Sequence, residues 1–178
     1  MNPIALIDKY YEGQDNLRLI LVKHSESVAQ KALSIARHHP ELGLDEQFIY
    51  EAAMLHDIGI LYTNAPGILC RGKYPYIAHG YLGADLMREA GFPKHALVCE
   101  RHTGTGLSLE QIQVQKLPVP QRDMQPVSLE EQVICFADKF FSKTKLDEEK
   151  SVAAVRAKLF RFGEQGVLKF DHWCKLFL

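Results

Sequence analysis

The sequence predicts an all-α fold, a single-domain helical bundle, and three observations support this class. Apolar residues recur at three- and four-residue steps in nearly every periodic segment, as in the stripe from Leu17 to Ile35. Residues that favour helix N-caps, such as Asp45 and Ser128, stand directly before such segments. The 178 residues, 47% of them hydrophobic, suit one domain with a continuous core.

The first half of the chain contains two predicted helices that carry polar residues. The stripe over residues 17–35 indicates a long helix with one buried face. The next helix is predicted to begin near Asp45 and to stop at Gly59, because glycine commonly follows a helix end. His56 and Asp57 are therefore expected at a helix C-terminus.

A loop and two further helices are predicted next. Residues 60–75 mix Asn, Pro, Gly and basic residues without periodicity, which is typical of a loop. Helical spacing resumes from Tyr76 to Gly91. A short helix follows from about Pro93 to His102, where glycines interrupt the pattern.

The last part of the chain is predicted to complete the bundle. A proline-rich segment over residues 114–128 indicates a surface connection, because a residue before proline is disfavoured in helices. Ser128 and Glu131 have the spacing of a capping box, and the helix they open contains Asp138. The motif-bearing core covers about 20–145, and closing helices are expected over about 147–178.

Composition excludes several classes of protein. The formal charge of −1 does not fit a protein that grips extended nucleic acid through its phosphates. The N-terminal residues show no cationic segment followed by an apolar run, and no stretch approaches a membrane span, so a cytoplasmic location is expected. The cysteines form no CxxC pair and are expected to be reduced core thiols: Cys70, Cys99, Cys135 and Cys174. The oligomeric state is left open.

Polar residues stand where core residues are expected. His24 lies on the apolar stripe of its helix, and Asp138 lies within the segment VICFADKFF. Burying an ionised carboxylate is costly without a partner, and a metal ion would supply one. The alternative for His24 is a hydrogen-bonded core histidine.

A larger set of such residues indicates a metal site. Each member lies on a predicted helix or at its end, among apolar neighbours: His24, His56, Asp57, His79, His102 and Asp138. Imidazole and carboxylate ligands suit iron, manganese, zinc or nickel, and six ligands shared between two ions leave open positions. The alternatives are a surface helix position for His79 and a polar helix end for His102.

The ordered set resembles the HD-domain metal-dependent phosphohydrolase superfamily, specifically its HDIG type. The resemblance covers roughly residues 20–145 and rests on the fragments HSESVA, LHDIG, HGYLGA, ERHTG and FADKF. It implies an all-α bundle in which one metal is held by four residues, namely His24, His56, Asp57 and Asp138. In dinuclear members Asp57 would bridge to a second metal held by His79 and His102.

The same resemblance implies a substrate class. Relatives with both additional histidines hydrolyse cyclic dinucleotides or cleave diadenosine tetraphosphate, so we expect a small phosphorylated, nucleotide-like substrate. One or two divalent ions per chain are expected, with iron or manganese favoured over zinc or nickel. Many members carry Lys after HDIG, whereas this chain has Ile60, and the Gly-Tyr-Pro motif of the cyclic-dinucleotide enzymes is missing near the HD motif.

A phosphohydrolase without that lysine needs other cations near the phosphate. The basic residues closest in sequence to the proposed ligands are Arg71, Lys73, Arg101, Lys139 and Lys143. Asp57, Lys139 and Arg101 are predicted to be catalytic. Substrate binding is assigned to Arg71, Lys73, Lys143 and Thr103, the last because its glycine-rich turn lets backbone amides approach an anion. Solvated surface positions are the alternative for each basic residue.

Two other functions compete with hydrolysis. A non-catalytic, metal-bound nucleotide sensor would use the same ligands, and the loss of Lys at Ile60 is compatible with it. An all-helical scaffold would hold no stoichiometric metal and would tolerate the loss of His24 or Asp138. Metal content and turnover separate these three functions.

Overall fold

The computed structural model describes residues 1–178 and confirms the all-α class. Its architecture consists of nine α-helices, in the order α1 (Pro3–Tyr10), α2 (Asp15–His38), α3 (Glu46–Leu55), α4 (His79–Glu89), α5 (Pro93–Arg101), α6 (Leu109–Val114), α7 (Leu129–Asp138), α8 (Val152–Phe160) and α9 (Glu164–Phe177). Short 3-10 turns and one small sheet connect them. None of these helices combines the length and apolar character needed to cross a membrane.

The long helix α2 packs against α3 and α7. Its 24 residues present one continuous buried face, made of Leu17, Leu21, His24, Val28, Ala32 and Ile35 among others. This face is the predicted stripe. Because His24 shares it, the helix carries an imidazole into the interior of the protein.

A close approach between Gly59 and α4 holds His56, at the end of α3, near His79, at the start of α4. The helix α3 ends at Leu55, and Gly59 lies in the 3-10 turn Ile58–Tyr62 that follows. A Cβ atom at Gly59 would lie 2.2 Å from the carbonyl oxygen of His79 and 2.4 Å from the amide nitrogen of Gly83. Gly59 is therefore needed for contact with α4, and the helix stops before it rather than at it.

The segment predicted as a loop contains the only sheet. Its strands are β1 (Thr63–Ala65), β2 (Cys70–Arg71) and β3 (Tyr74–Pro75), in the order β2-β1-β3. β1 pairs antiparallel with β2 and parallel with β3. The loop prediction was wrong here, because strands of two or three residues are too short to show an alternating pattern.

Two short helices were not predicted. Asn2 caps α1 by accepting a hydrogen bond from the amide of Ala5, and Ser108 caps α6 in the same way for Gln111. The helix predicted from Tyr76 begins as an α-helix at His79, after a 3-10 turn over Tyr76–Ala78. The unpredicted helices α1 and α6 have only eight and six residues, which is too few to show a helical period, so their caps were the only usable signals.

The C-terminal helix α9 packs against α7 and α8. Ser128 caps α7, and the carboxylate of Glu131 accepts a hydrogen bond from the amide of Val127. Side chains of α9 then pack on α7 through aromatic rings, and Phe136 lies 5.3 Å from Phe170 and 6.4 Å from Trp173, measured between ring centroids. These rings cover the side of α7 opposite Asp138.

We expect Gly59→Ala to lower the free energy of unfolding by about 3 kcal/mol, because the added methyl group collides with the backbone of α4. Urea denaturation measures this change. Gly67→Ala is the matched control, since a Cβ atom there meets nothing within 4 Å. Equal stabilities for the two variants would contradict the close packing of Gly59.

Candidate metal centre

The six predicted ligands meet in one place. They come from five different elements: the middle of α2, the end of α3, the start of α4, the end of α5 and the last residue of α7. Five are buried and the sixth, Asp138, is half-buried. Their ligand atoms form two groups that share Asp57, with His24, His56, Asp57 and Asp138 in one and Asp57, His79 and His102 in the other.

The first group surrounds one oxygen of each carboxylate. Nε2 of His24 lies 3.0 Å from Oδ1 of Asp138 and 3.1 Å from Oδ2 of Asp57. Nε2 of His56 lies 2.9 Å from the same Asp57 oxygen and 3.5 Å from Oδ1 of Asp138. Two imidazoles and two carboxylates thus face a common point.

The second group uses the other oxygen of Asp57. Oδ1 of Asp57 lies 3.4 Å from Nε2 of both His79 and His102, and these two nitrogens are 3.0 Å apart. Two nitrogens about 2.1 Å from one ion, and at a right angle, would have this same separation. The spacing therefore suits two ligands of one cation.

Three of the histidines are oriented by their own helix turns. Nδ1 of His56, His79 and His102 donates a hydrogen bond to the carbonyl oxygen three residues earlier, at 2.6, 2.6 and 2.8 Å. A carbonyl can only accept, so Nδ1 carries the proton, and Nε2 of the neutral ring has the lone pair that can ligate a metal. Such bonds orient histidines that ligate metals.

The second group is electrostatically incomplete without a cation. Burial lowers the pKa of His79 to about 3 and also lowers the pKa of His102, so both rings are neutral near pH 7. Their Nε2 lone pairs then face each other and Oδ1 of Asp57, with no donor between them. Oδ1 of Asp57 is also buried without a hydrogen bond. These orphaned acceptors fit a bound metal ion.

Two lysines lie beside the carboxylates. Nζ of Lys143 is 2.5 Å from Oδ2 of Asp57, and Nζ of Lys139 is 2.8 Å from Oδ2 of Asp138. Burial would raise the pKa of the Asp57 carboxyl, but Lys143 and His56 hold that pKa well below its usual range. Asp138 shows the same balance, with Lys139 as the main cause of its lowered pKa. Both carboxylates are ionised near neutral pH.

The other predicted cations lie elsewhere. Nη1 of Arg101 donates to both carboxylate oxygens of Glu131, at 3.1 and 2.9 Å. Arg101 lines no part of the cavity at the cluster, and neither do Arg71 and Lys73, which are exposed around the small sheet. Proximity in sequence to the ligands suggested all three residues. Arg101 is adjacent to His102, but neighbouring side chains on a helix point about 100° apart.

A cavity of about 620 Å³ opens beside the cluster. Its walls include His24, His79, His102 and Asp138 together with the predicted contacts Thr103, Lys139 and Lys143. This volume lies within the range of small-molecule sites.

Several cavity residues were not predicted from the sequence. Tyr76 lines the cavity and lies against His79, with ring centroids 4.7 Å apart. Lys158, Leu159 and Phe162 line the cavity from α8 and the turn after it. The sequence offered no signal for these three, because α8 was assigned only to closing the core.

Comparison with known families agrees with this geometry. Residues 21–142, which contain all six clustered residues, match the family described as HD domain. The chain belongs to the HD domain family. The clustered histidines and aspartates of this HD domain suit the binding of divalent metal ions.

Relatives of this HD domain differ in length. An uncharacterized protein of Methanocaldococcus jannaschii is 33% identical over 131 residues, which are 68% of this chain and 70% of that protein. A tRNA (cytidine(56)-2'-O)-methyltransferase of Picrophilus torridus is 29% identical over 148 residues, 78% of this chain but 39% of the enzyme. The enzyme of the same name from Thermoplasma volcanium is 29% identical over 126 residues, 70% of this chain and 32% of the enzyme. No solved structure gives a significant match.

We expect Arg101→Met to lower the free energy of unfolding by about 2 kcal/mol, because it leaves the buried Glu131 carboxylate without its charged partner. Thermal or urea denaturation measures the loss. Arg156→Met is the matched control, since the exposed pair of Arg156 with Asp171 contributes little. A stable Arg101→Met protein that had lost activity would instead support the catalytic role predicted from the sequence.

Proposed function

We propose that this HD domain is a metal-dependent phosphohydrolase that cleaves a phosphate ester in a small, nucleotide-like molecule. The observation that carries the proposal is the sharing of one buried carboxylate, Asp57, between two groups of metal-ligating atoms. Two divalent cations held close together supply an activated water and a Lewis acid for a phosphoryl oxygen.

The proposed ligands divide between two ions. His24, His56, Asp57 and Asp138 would hold the first, and Asp57, His79 and His102 the second. A mixed set of imidazole and carboxylate ligands favours iron or manganese and also accepts zinc or nickel. Because Asp57 contributes one oxygen to each group, its loss should affect both ions.

Lys143 is the proposed replacement for the lysine that many family members carry after HDIG. Ile60 is fully buried in the hydrophobic core, so a side chain at this position does not reach the cavity. The Lys143 ammonium, in contrast, lies 2.5 Å from Asp57 and lines the cavity. We assign it to a phosphate oxygen, where its charge would stabilise the transition state.

Lys139 and Thr103 have supporting roles in this proposal. Nζ of Lys139 contacts Asp138 and donates to the carbonyl oxygen of His102 at 3.0 Å, so it holds two proposed ligands together. Thr103 follows His102 and lines the cavity, where its hydroxyl can donate to the phosphate. Arg101, Arg71 and Lys73 have no role here, because they do not line the cavity.

The names of the two tRNA methyltransferases do not change the proposal. The part they share with this chain is 39% of one enzyme and 32% of the other, so each name describes a much longer protein. The clustered histidines and aspartates of this chain lie within its match to the HD domain and suit cation binding. A nucleotide-like substrate is compatible with the uncharacterized relative and with the two methyltransferases.

We expect Asp57→Ala to abolish binding of both metal ions, whereas His79→Ala should remove one and leave the other. Elemental analysis of protein equilibrated with manganese or iron gives the number of ions per chain. Asp147→Ala, an exposed aspartate outside both groups, should bind like the unchanged protein. Full metal content in Asp57→Ala would contradict the proposal that two ions share the Asp57 carboxylate.

Metal binding should also stabilise the fold, because the buried acceptors gain a partner only in the folded state. A free metal concentration 100 times the Kd should add about 2.7 kcal/mol to the free energy of unfolding. Thermal denaturation with and without a chelator tests this. A scaffold without a metal site would show no difference.

We expect Lys143→Met to lower kcat about 100-fold, because one donor to the transition-state charge is lost. Hydrolysis of nucleoside phosphates by metal-loaded protein provides the assay. Lys145→Met is the matched control, since Lys145 is exposed and pairs only with Glu148. Binding of nucleotides without any release of phosphate by the unchanged protein would contradict hydrolysis and favour the sensor.

A further inference from the structure

One wall of the cavity comes from outside the residues that match the HD family. The match ends at residue 142, whereas Val155, Lys158 and Leu159 of α8 and the following Phe162 all line the cavity. This wall is therefore a feature of the chain's own C-terminal segment. Its chemistry should select the part of the substrate that the metal ions do not hold.

A second cavity shows which way this wall faces. It has a volume of about 700 Å³ and shares six lining residues with the first: Gly104, Leu107, Gln111, Gln115, Leu159 and Phe162. None of the proposed metal ligands lines the second cavity. The shared residues thus lie between the first cavity and a second one that does not reach the metal ligands. Leu159 and Phe162 of the C-terminal segment stand there together with Leu107, Gln111 and Gln115, which lie inside the HD match, and we call these five residues the distal wall.

The distal wall combines apolar surface with amide groups. Leu107 and Leu159 are buried, whereas Phe162 is 71% exposed, so its ring is free to accept a planar partner. Gln111 and Gln115 each carry a carbonyl acceptor and two N–H donors. Aromatic stacking together with amide hydrogen bonds is how proteins hold an unpaired nucleobase.

The charges make the first cavity the one that favours anions, because it is lined by Lys139, Lys143 and Lys158, whereas the second is lined by two glutamates and one lysine. Lys139 and Lys143 lie beside the ligand carboxylates, at 2.8 and 2.5 Å. Beyond the distal wall, the second cavity carries Glu110 and Glu164, and its single lysine, Lys169, bonds to Gln125 at 3.1 Å. A second phosphate extending in that direction would meet carboxylates, whereas a neutral group would not.

We propose that the distal wall binds the nucleoside of a nucleoside monophosphate, with its one phosphate at the metal centre. The proposal rests on the proposed hydrolytic function and narrows its substrate class. The base stacks on Phe162, and the amides of Gln111 and Gln115 bond to its edges. The acidic second cavity disfavours dinucleoside polyphosphates and cyclic dinucleotides, which carry further phosphates.

The experiment compares substrates with and without a base on manganese-loaded protein. The readout is the ratio of kcat/KM for AMP, CMP, GMP or UMP to that for glycerol 2-phosphate. We expect this ratio to fall about tenfold in Phe162→Ala and in the double variant Gln111→Ala with Gln115→Ala, the size of one lost stacking or pairing interaction. Phe160→Ala is the matched control, because Phe160 is 69% exposed on α8 and lines neither cavity.

The outcomes separate this proposal from hydrolysis itself. An unchanged ratio in both distal-wall variants, or an equal fall in Phe160→Ala, overturns the proposal that the distal wall binds the nucleoside. The proposal of hydrolysis is unaffected by that result. Tighter binding of diadenosine tetraphosphate than of AMP, measured by calorimetry, also overturns it. If AMP binds and Phe162→Ala weakens that binding about tenfold, but no substrate releases phosphate, the distal wall stands and hydrolysis is wrong.

Discussion

The structure depends on one carboxylate buried at the centre of the bundle. Asp57 is fully buried, yet both of its oxygens lie among groups of positive or potentially positive charge from five different elements. Removing an ionised carboxylate from water is costly, so these helices can meet here only if cations compensate it. Lys143 provides part of this compensation, and the geometry of the histidines is suited to metal ions that provide the rest.

The sequence was sufficient to select the six clustered residues and insufficient for their surroundings. His24 could be predicted because it interrupts an apolar stripe, and Asp138 because it lies in an apolar helix, so both conflict with simple burial. The convergence of the six residues came from family resemblance, since spacing along a chain does not define distances between helices. Cations were predicted by adjacency to ligands, which selected Lys139 correctly as a cavity residue but placed Arg101 in the site as well.

Some parts of the fold leave no usable pattern in the sequence. The strands between Thr63 and Pro75 are too short for alternation, and the role of Gly59 depends on a helix twenty residues further along the chain. Phe162 is an exposed aromatic residue, and only the arrangement of α6 and α8 reveals that it stands at the junction of two cavities. Features of this kind depend on tertiary contacts, which local propensity does not describe.

The hydrogen bonds from three histidine rings to carbonyl oxygens of their own helix turns have an evolutionary consequence. Because His56, His79 and His102 each obtain their ring orientation within four consecutive residues, that orientation needs no hydrogen bond from a distant part of the chain. The remaining surface is then free to diverge. Lineages that retain these short segments can exchange their peripheral helices, or join the domain to unrelated neighbours, without rebuilding the centre.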